Sequence, residues 1–243
     1  MASLGRGLVR GGVGVVFAMF AAFTGVPGVA GADAAAVLGP GSGVLISTDD
    51  PDLYAACSLT AAGFDGAGRM VGITAGHCGY VGDSVWAEGA LGIGKVGRIA
   101  EVDDYWDWAV IEFEGAKVVP VRQITRSVVN GIGGRPRVFD TVCKNGRTTG
   151  YTCGVVWENI PEGFSSHVCA DYGDSGAPVL LGDQLVGMIV AGAPATIGSV
   201  DLELKSCSNP ADLIHEPDLA TDIDIVMTDI NQHGGVGAGF RLP

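Results

Sequence analysis

The chain is poor in positive charge, with 14 Lys and Arg against 27 Asp and Glu in 243 residues. So acidic a surface offers no counter-charge to phosphate backbones or anionic lipids, which excludes nucleic acid and anionic membrane surfaces as partners. The six cysteines form no C-x-x-C pair and the four histidines are scattered, so the ligand spacing of a zinc site is missing. No strand–helix alternation of the kind that builds a parallel sheet is visible. There is no internal repeat, and no low-complexity tract beyond the Gly-rich ends. The acids from Asp212 to Asp224 lack the regular ligand spacing of an EF-hand and read as a solvated loop. Neither metal nor cofactor is expected.

Charge is also absent from Gly11 to Ala32, a stretch with the apolar centre VGVVFAMFAAF. Arg6 and Arg10 precede it, and Ala30-Gly31-Ala32 ends it with small residues. A basic start, a short apolar middle and an A-x-A-like end predict a secretory signal peptide over 1–32. An uncleaved anchor is the competing reading, but Gly and Pro27 dilute its apolar part. Export makes the protein extracellular or of the cell envelope, with no membrane contact after cleavage. Cleavage would leave 12 basic residues against 27 acids, a net charge of −15.

All six cysteines follow the leader: Cys57, Cys78, Cys143, Cys153, Cys169 and Cys207. An even count in an exported chain predicts three disulfides, with fifteen connectivities open on counting alone.

Forty glycines and recurrent short apolar runs predict an all-β protein. Runs stand at 43–47, 70–74, 95–99, 108–113, 137–139, 154–157, 178–181 and 185–190. One helix is expected near the C-terminus, capped by Asp224, with Ile225, Val226 and Ile230 on its apolar stripe and Gly234-Gly235 ending it. The segment Ala193 to Leu219, broken by Pro194, Pro210 and Pro217, is expected to be a long irregular loop. Trp86, Trp106, Trp108 and Trp157 are expected in the core or at its rim. His167, His215 and His233 are expected at the surface.

Three stretches carry chemistry. In Gly173-Asp174-Ser175-Gly176 a serine between glycines can expose its Oγ while backbone N–H groups converge on one point. Those are the needs of an acyl-transfer nucleophile and an oxyanion hole. Thr74-Ala75-Gly76-His77-Cys78 ends an apolar strand and would hold His77 rigidly as a general base. Asp107 stands directly before Trp108-Ala109-Val110-Ile111, where a carboxylate can orient an imidazole. Asp103 and Asp104 offer the same chemistry on spacing alone.

In the order His, Asp, Ser these motifs resemble the chymotrypsin-like serine proteases, especially the bacterial secreted branch that includes alpha-lytic protease and the Streptomyces griseus proteases. The short loop Cys143 to Cys153, and Cys169 six residues before Ser175, point to that branch. The resemblance covers roughly 41 to 232. It implies two antiparallel six-stranded β-barrels with a C-terminal helix, the first barrel within 33–120 and the second within 121–243. It further implies the pairs Cys57–Cys78, Cys143–Cys153 and Cys169–Cys207, and an ion pair between Lys144 and Asp174. His77, Asp107 and Ser175 would be catalytic, and the N–H groups of Gly173 and Ser175 would hold the oxyanion. The implied protein is a monomeric serine endopeptidase acting on peptides or proteins through an acyl-enzyme.

Several residues depart from that pattern. Ala177 stands in place of a glycine, with little effect expected. Val190 replaces a serine whose hydroxyl supports the catalytic Asp, and would leave that carboxylate short of a bond. With Ala191 and Gly192 it would line the substrate pocket and favour a small or medium apolar side chain. Val190 and the long 193–219 segment motivate a second reading, a catalytically impaired protein that binds a partner through its cleft. Only 24 residues (33–56) precede Cys57 after the leader, too few for the folding pro-region of several relatives.

Overall fold

Val44 and Ile46 are sealed from solvent while Gly43, Leu45 and Ser47 between them are half-exposed. This alternation is that of a strand with one face on a core. The computed structural model describes residues 35–192, 195–197, 200–202 and 204–243, so the predicted leader lies outside the described residues. The described residues are built almost wholly of strands, with one α-helix near the C-terminus.

Two sheets dominate. The first runs, in hydrogen-bonded order, Tyr54–Ser58, Gly43–Ser47, Ser84–Ala87, Lys95–Asp103, Trp108–Phe113, Met70–Ala75, Ala61–Phe64. The second contains a closed six-strand barrel: Thr141–Gly146, Gly150–Ile160, Gly163–Ser166, Asp218–Asp222, Gln184–Gly192 and Pro178–Leu181, which returns to the first.

The first sheet is a half-barrel of seven strand segments, its two edge segments, Tyr54–Ser58 and Ala61–Phe64, being the arms of one bent stretch of chain. The two arms meet at the corner Leu59-Thr60. There Leu59 N–H donates to Ser42 O on one side and Thr60 N–H to Ile73 O on the other, both at 2.8 Å. The corner thus carries the chain from one edge of the sheet to the other and bonds to both sides, as in the expected barrel. Pairing is antiparallel except for two short parallel ladders, Ala36–Leu38 with Val118–Pro120 and Gly131–Ile132 with Gln184–Leu185.

Each sheet buries its own apolar face. Val44, Ile46, Val85, Ile99 and Ile111 pack in the first, and Val142, Val156, Phe164, Val179 and Val186 in the second. Between them Val71, Ile73, Trp108, Leu185 and Met188 pack with Ile223, Val226 and Ile230 of the helix. At roughly 1.5–3 kcal/mol per buried side chain, this middle cluster is the chief bond between the sheets. Of the tryptophans, Trp108 is core, Trp86 and Trp106 are half-buried, and Trp157 is half-exposed at the rim.

Some expectations need correction. Arg137–Phe139 is a turn, not a strand: Phe139 has φ 72° and is exposed, and the Asp140 side chain accepts from Arg137 N–H at 2.8 Å. The helix spans Ile223–His233 with Asp222 as N-cap, two residues before Asp224. Asp222 is drawn inward by Arg135, which donates to its carboxylate. Gly234, at φ 72°, ends the helix as expected. Within 193–219, expected to be irregular, Ala195–Ile197 pairs with Val200–Leu202, and a barrel strand begins at Asp218. His215, expected at the surface, is 4 % exposed, its ring stacked on His167 with centroids 4.0 Å apart.

Candidate active site

The strand Met70–Ala75 passes directly into a single 3-10 turn, Gly76–Cys78. Gly76 permits this tight passage, since a Cβ there would sit 2.8 Å from Asp103 O and 3.0 Å from Trp108 N. Cys78 is buried and bonded to Cys57 on a neighbouring strand, so the turn is fixed on both sides of His77.

Asp107 sits before the strand Trp108–Phe113 in a left-handed conformation, φ 55°, which Asp tolerates better than most residues. It grips His77 twice. Oδ1 accepts from the His77 backbone N–H at 2.8 Å, and Oδ2 lies 2.8 Å from Nδ1. The hydrogen bond to Asp107, reinforced by that residue's charge, raises the His77 pKa above its ordinary value despite partial burial of the ring. Asp103, the alternative on spacing, instead accepts from Trp106 N–H at 2.7 Å and so shapes the turn.

Ser175 comes from the second barrel and faces the same cleft as His77. Among the described residues no hydrogen bond joins Ser175 Oγ to His77, a separation common before a substrate is bound. The turn carrying Ser175 is held by the other sheet. Ser58 N–H donates to Ser175 O at 2.8 Å, Ser58 Oγ donates to Gly173 O at 3.0 Å, and Thr60 Oγ donates to Gly176 O at 2.7 Å. Gly173 has φ 95°, a conformation that favours glycine. Among the described residues the N–H groups of Gly173 and Ser175 donate to no acceptor, while those of Asp174, Gly176 and Ala177 are all used. Two unspent donors flank the serine.

Lys144 and Asp174 pair as expected, Nζ to Oδ2 at 3.0 Å, with both side chains fully buried. Lys144 also donates to Thr149 Oγ and to Gly150 O, so its three protons are spent. Asp174 further accepts from Thr148 N–H at 2.8 Å. Burial lowers the Lys144 pKa, an effect opposed by Asp174. Ala177 is sealed in the second core and donates to Asp174 O at 2.8 Å, so its methyl is accommodated.

The cleft, about 380 Å³, is walled by Ile189, Val190, Ala191 and Gly192. Val190 packs against two of the apolar clusters. Glu216 and Asp218 also line it, and sequence reasoning missed both by treating 212–224 as solvated loop. Asp218 is 4 % exposed, and burial pushes its pKa up to about 8. The run Asp218-Leu219-Ala220-Thr221-Asp222, with an acid at each end, carries no sequence signal of burial. The other disulfides are Cys143–Cys153, across one rung of paired strands, and Cys169–Cys207, beside the cleft.

Among the described residues one group could hold a metal, Asp103, Asp229 and His233. Asp229 already accepts from Trp108 Nε1–H at 2.9 Å, and the trio lies apart from the cleft residues. No helix of the described residues is long and apolar enough to cross a membrane.

No protein-family model matches the chain. Streptogrisin-C of Streptomyces griseus is 34% identical over 140 residues, covering 49% of this chain and 29% of that protein. The chain thus spans less than a third of the length of this curated relative. A Nocardiopsis protease structure superposes with a TM-score of 0.61 at 21% identity, covering 81% of this chain and 97% of that one. Thermobifida fusca protease A gives 0.59 at 22%, with the same coverage. An alpha-lytic protease homologue gives 0.57 at 22%, covering 81% and 98%. In fold, and in the motifs around His77, Asp107 and Ser175, the chain resembles the bacterial chymotrypsin-like serine proteases.

Proposed function

We propose that the chain is an exported, monomeric serine endopeptidase that cleaves peptides or proteins through an acyl-enzyme. Its first 32 residues serve as leader, and the chain divides near 120 into the two β-units that flank the cleft. The observation that carries the reading is the double grip of Asp107 on His77, 2.8 Å at Nδ1 and 2.8 Å at the backbone N–H, beside a serine with two unspent N–H donors.

Asp107 fixes the His77 tautomer with Nε2 free to accept a proton. Ser175 Oγ forms a bond to the scissile carbonyl carbon and passes its proton to Nε2. The carbonyl oxygen becomes an oxyanion and takes hydrogen bonds from Gly173 N–H and Ser175 N–H. As the C–N bond breaks, His77 returns that proton to the leaving amine. Water then attacks the acyl carbon and gives a proton to His77; the bond to Ser175 Oγ breaks, Oγ takes that proton back from Nε2, and the carboxylic acid product leaves.

A catalytically impaired binder is the less favoured reading. It rested on Val190, which would deny Asp107 a hydrogen bond, and on the long 193–219 segment; Asp107 nevertheless engages His77 through both of its oxygens. A fluorophosphonate probe on the purified, disulfide-intact protein tests the proposal. Labelling that disappears in Ser175→Ala supports it; no labelling of the folded protein refutes it.

A further inference from the structure

The cleft beside Ser175 is lined by the apolar Ile189, Val190 and Ala191 and by three acids, Asp171, Glu216 and Asp218. Asp218 opens the strand Asp218–Asp222 and is 4 % exposed. Its Oδ2 accepts from Ala170 N–H at 3.1 Å, and Oδ1 takes no hydrogen bond among the described residues. Glu216 is half-buried, and its Oε1 lies so close against the Gly192 backbone that a Cβ there would overlap it. Among the described residues no Lys, Arg or His forms an ion pair with either acid. The one buried cation nearby, Lys144, is already spent on Asp174, Thr149 and Gly150.

We propose that this cleft selects a cationic side chain, Arg or Lys, at the residue whose carbonyl Ser175 attacks, with Asp218 as its deep anion and Glu216 as its shallower one. The inference rests on the endopeptidase reading and replaces the apolar preference expected from Val190 and Ala191. An apolar side chain would cover Asp218 and leave an unpaired carboxyl in a drier site, which is costly. A guanidinium or ammonium group supplies the missing charge and donors. Its aliphatic stem lies along Ile189 and Val190, as long basic side chains do against apolar surface. A cleft of about 380 Å³ is within the size range of sites that enclose small ligands. The strongly acidic surface draws such substrates in.

The charged groups acting on Asp218 are Lys144, which favours its ionised form, and Glu216 and Asp174, which oppose it; Asp171 also lines the cleft. With its pKa pushed up to about 8, Asp218 in the empty cleft holds a proton at neutral pH. Binding a cation expels that proton, so affinity for a cation increases as pH rises toward 8.

The test uses the purified protein with peptidyl p-nitroanilides ending in Arg, Lys, Ala or Phe, and active sites counted by fluorophosphonate. Arg and Lys substrates are expected to exceed Ala and Phe in kcat/KM by at least about tenfold. Asp218→Asn should erase that preference while fluorophosphonate still labels Ser175, and Glu216→Gln should reduce it. Preferred cleavage after Ala or Phe, or a preference unmoved by both variants, overturns the proposal. Calorimetric binding of benzamidine to Ser175→Ala reads the cleft without turnover. Binding that weakens in Glu216→Gln supports a cation site even if the endopeptidase reading fails, and absence of binding refutes it.

Discussion

Lys144 and Asp174 form a fully buried ion pair, 3.0 Å apart, one residue before the candidate nucleophile. Removing one partner strands the other charge in a dry interior, at a cost of about 3–5 kcal/mol. Lys144→Met is therefore expected to destabilise more than the double variant Lys144→Met/Asp174→Leu. Denaturant unfolding of the two variants checks this ordering.

The pH profile of cleavage should report His77. The imidazole acts as a base only when neutral, and Asp107 raises its pKa above the ordinary value. Activity is expected to fall as pH drops through a midpoint above about 6.5. In Asp107→Asn the raising partner is gone, so the midpoint moves down while kcat falls by about 10,000-fold. A midpoint that stays put would detach Asp107 from the base.

Ser58 is buried, with its Oγ accepting from Arg147 N–H at 2.9 Å and donating to Gly173 O at 3.0 Å. Ser58→Ala leaves both backbone groups unpartnered, costing about 1–3 kcal/mol of stability. Because the loosened turn carries Ser175, kcat should fall more than KM rises. Steady-state kinetics on a peptide substrate separates the two.

Asp218 bears on stability as well. Its folded pKa, pushed up to about 8, lies far above the ordinary carboxyl value of 3.8, so the folded state holds a proton that the unfolded chain has lost between those pH values. Stability is then expected to decline as pH rises from about 4 to 8. Asp218→Asn removes that penalty, and should raise stability at pH 7 by on the order of 4 kcal/mol. Thermal melts at pH 5 and pH 7.5, wild type against variant, check both slope and sign.

The legible parts of this molecule are those whose partners lie close along the chain. His77 follows its strand directly, Asp107 precedes its own, and the runs 43–47, 108–113 and 178–181 coincide with observed strands. The hidden parts depend on distant partners. The strand Asp218–Asp222 begins and ends in acid, which argues against burial until Ala170 N–H and Arg135 are brought to it by the fold. His215 owes its burial to a stacked His167 well upstream in the chain. Ser58 and Thr60 look like ordinary strand-end hydroxyls, and only the meeting of the two sheets turns them into clamps on the Ser175 turn.

The segment carrying Glu216 is tied down by the Cys169–Cys207 bridge and by Glu216 N–H on Lys205 O at 2.9 Å, and it contains none of His77, Asp107 or Ser175. On the proposed function, bond breaking and side-chain choice would reside on separate lengths of polypeptide. A lineage could exchange the residues of this strap, and so change its diet, while the cleaving apparatus descends unaltered.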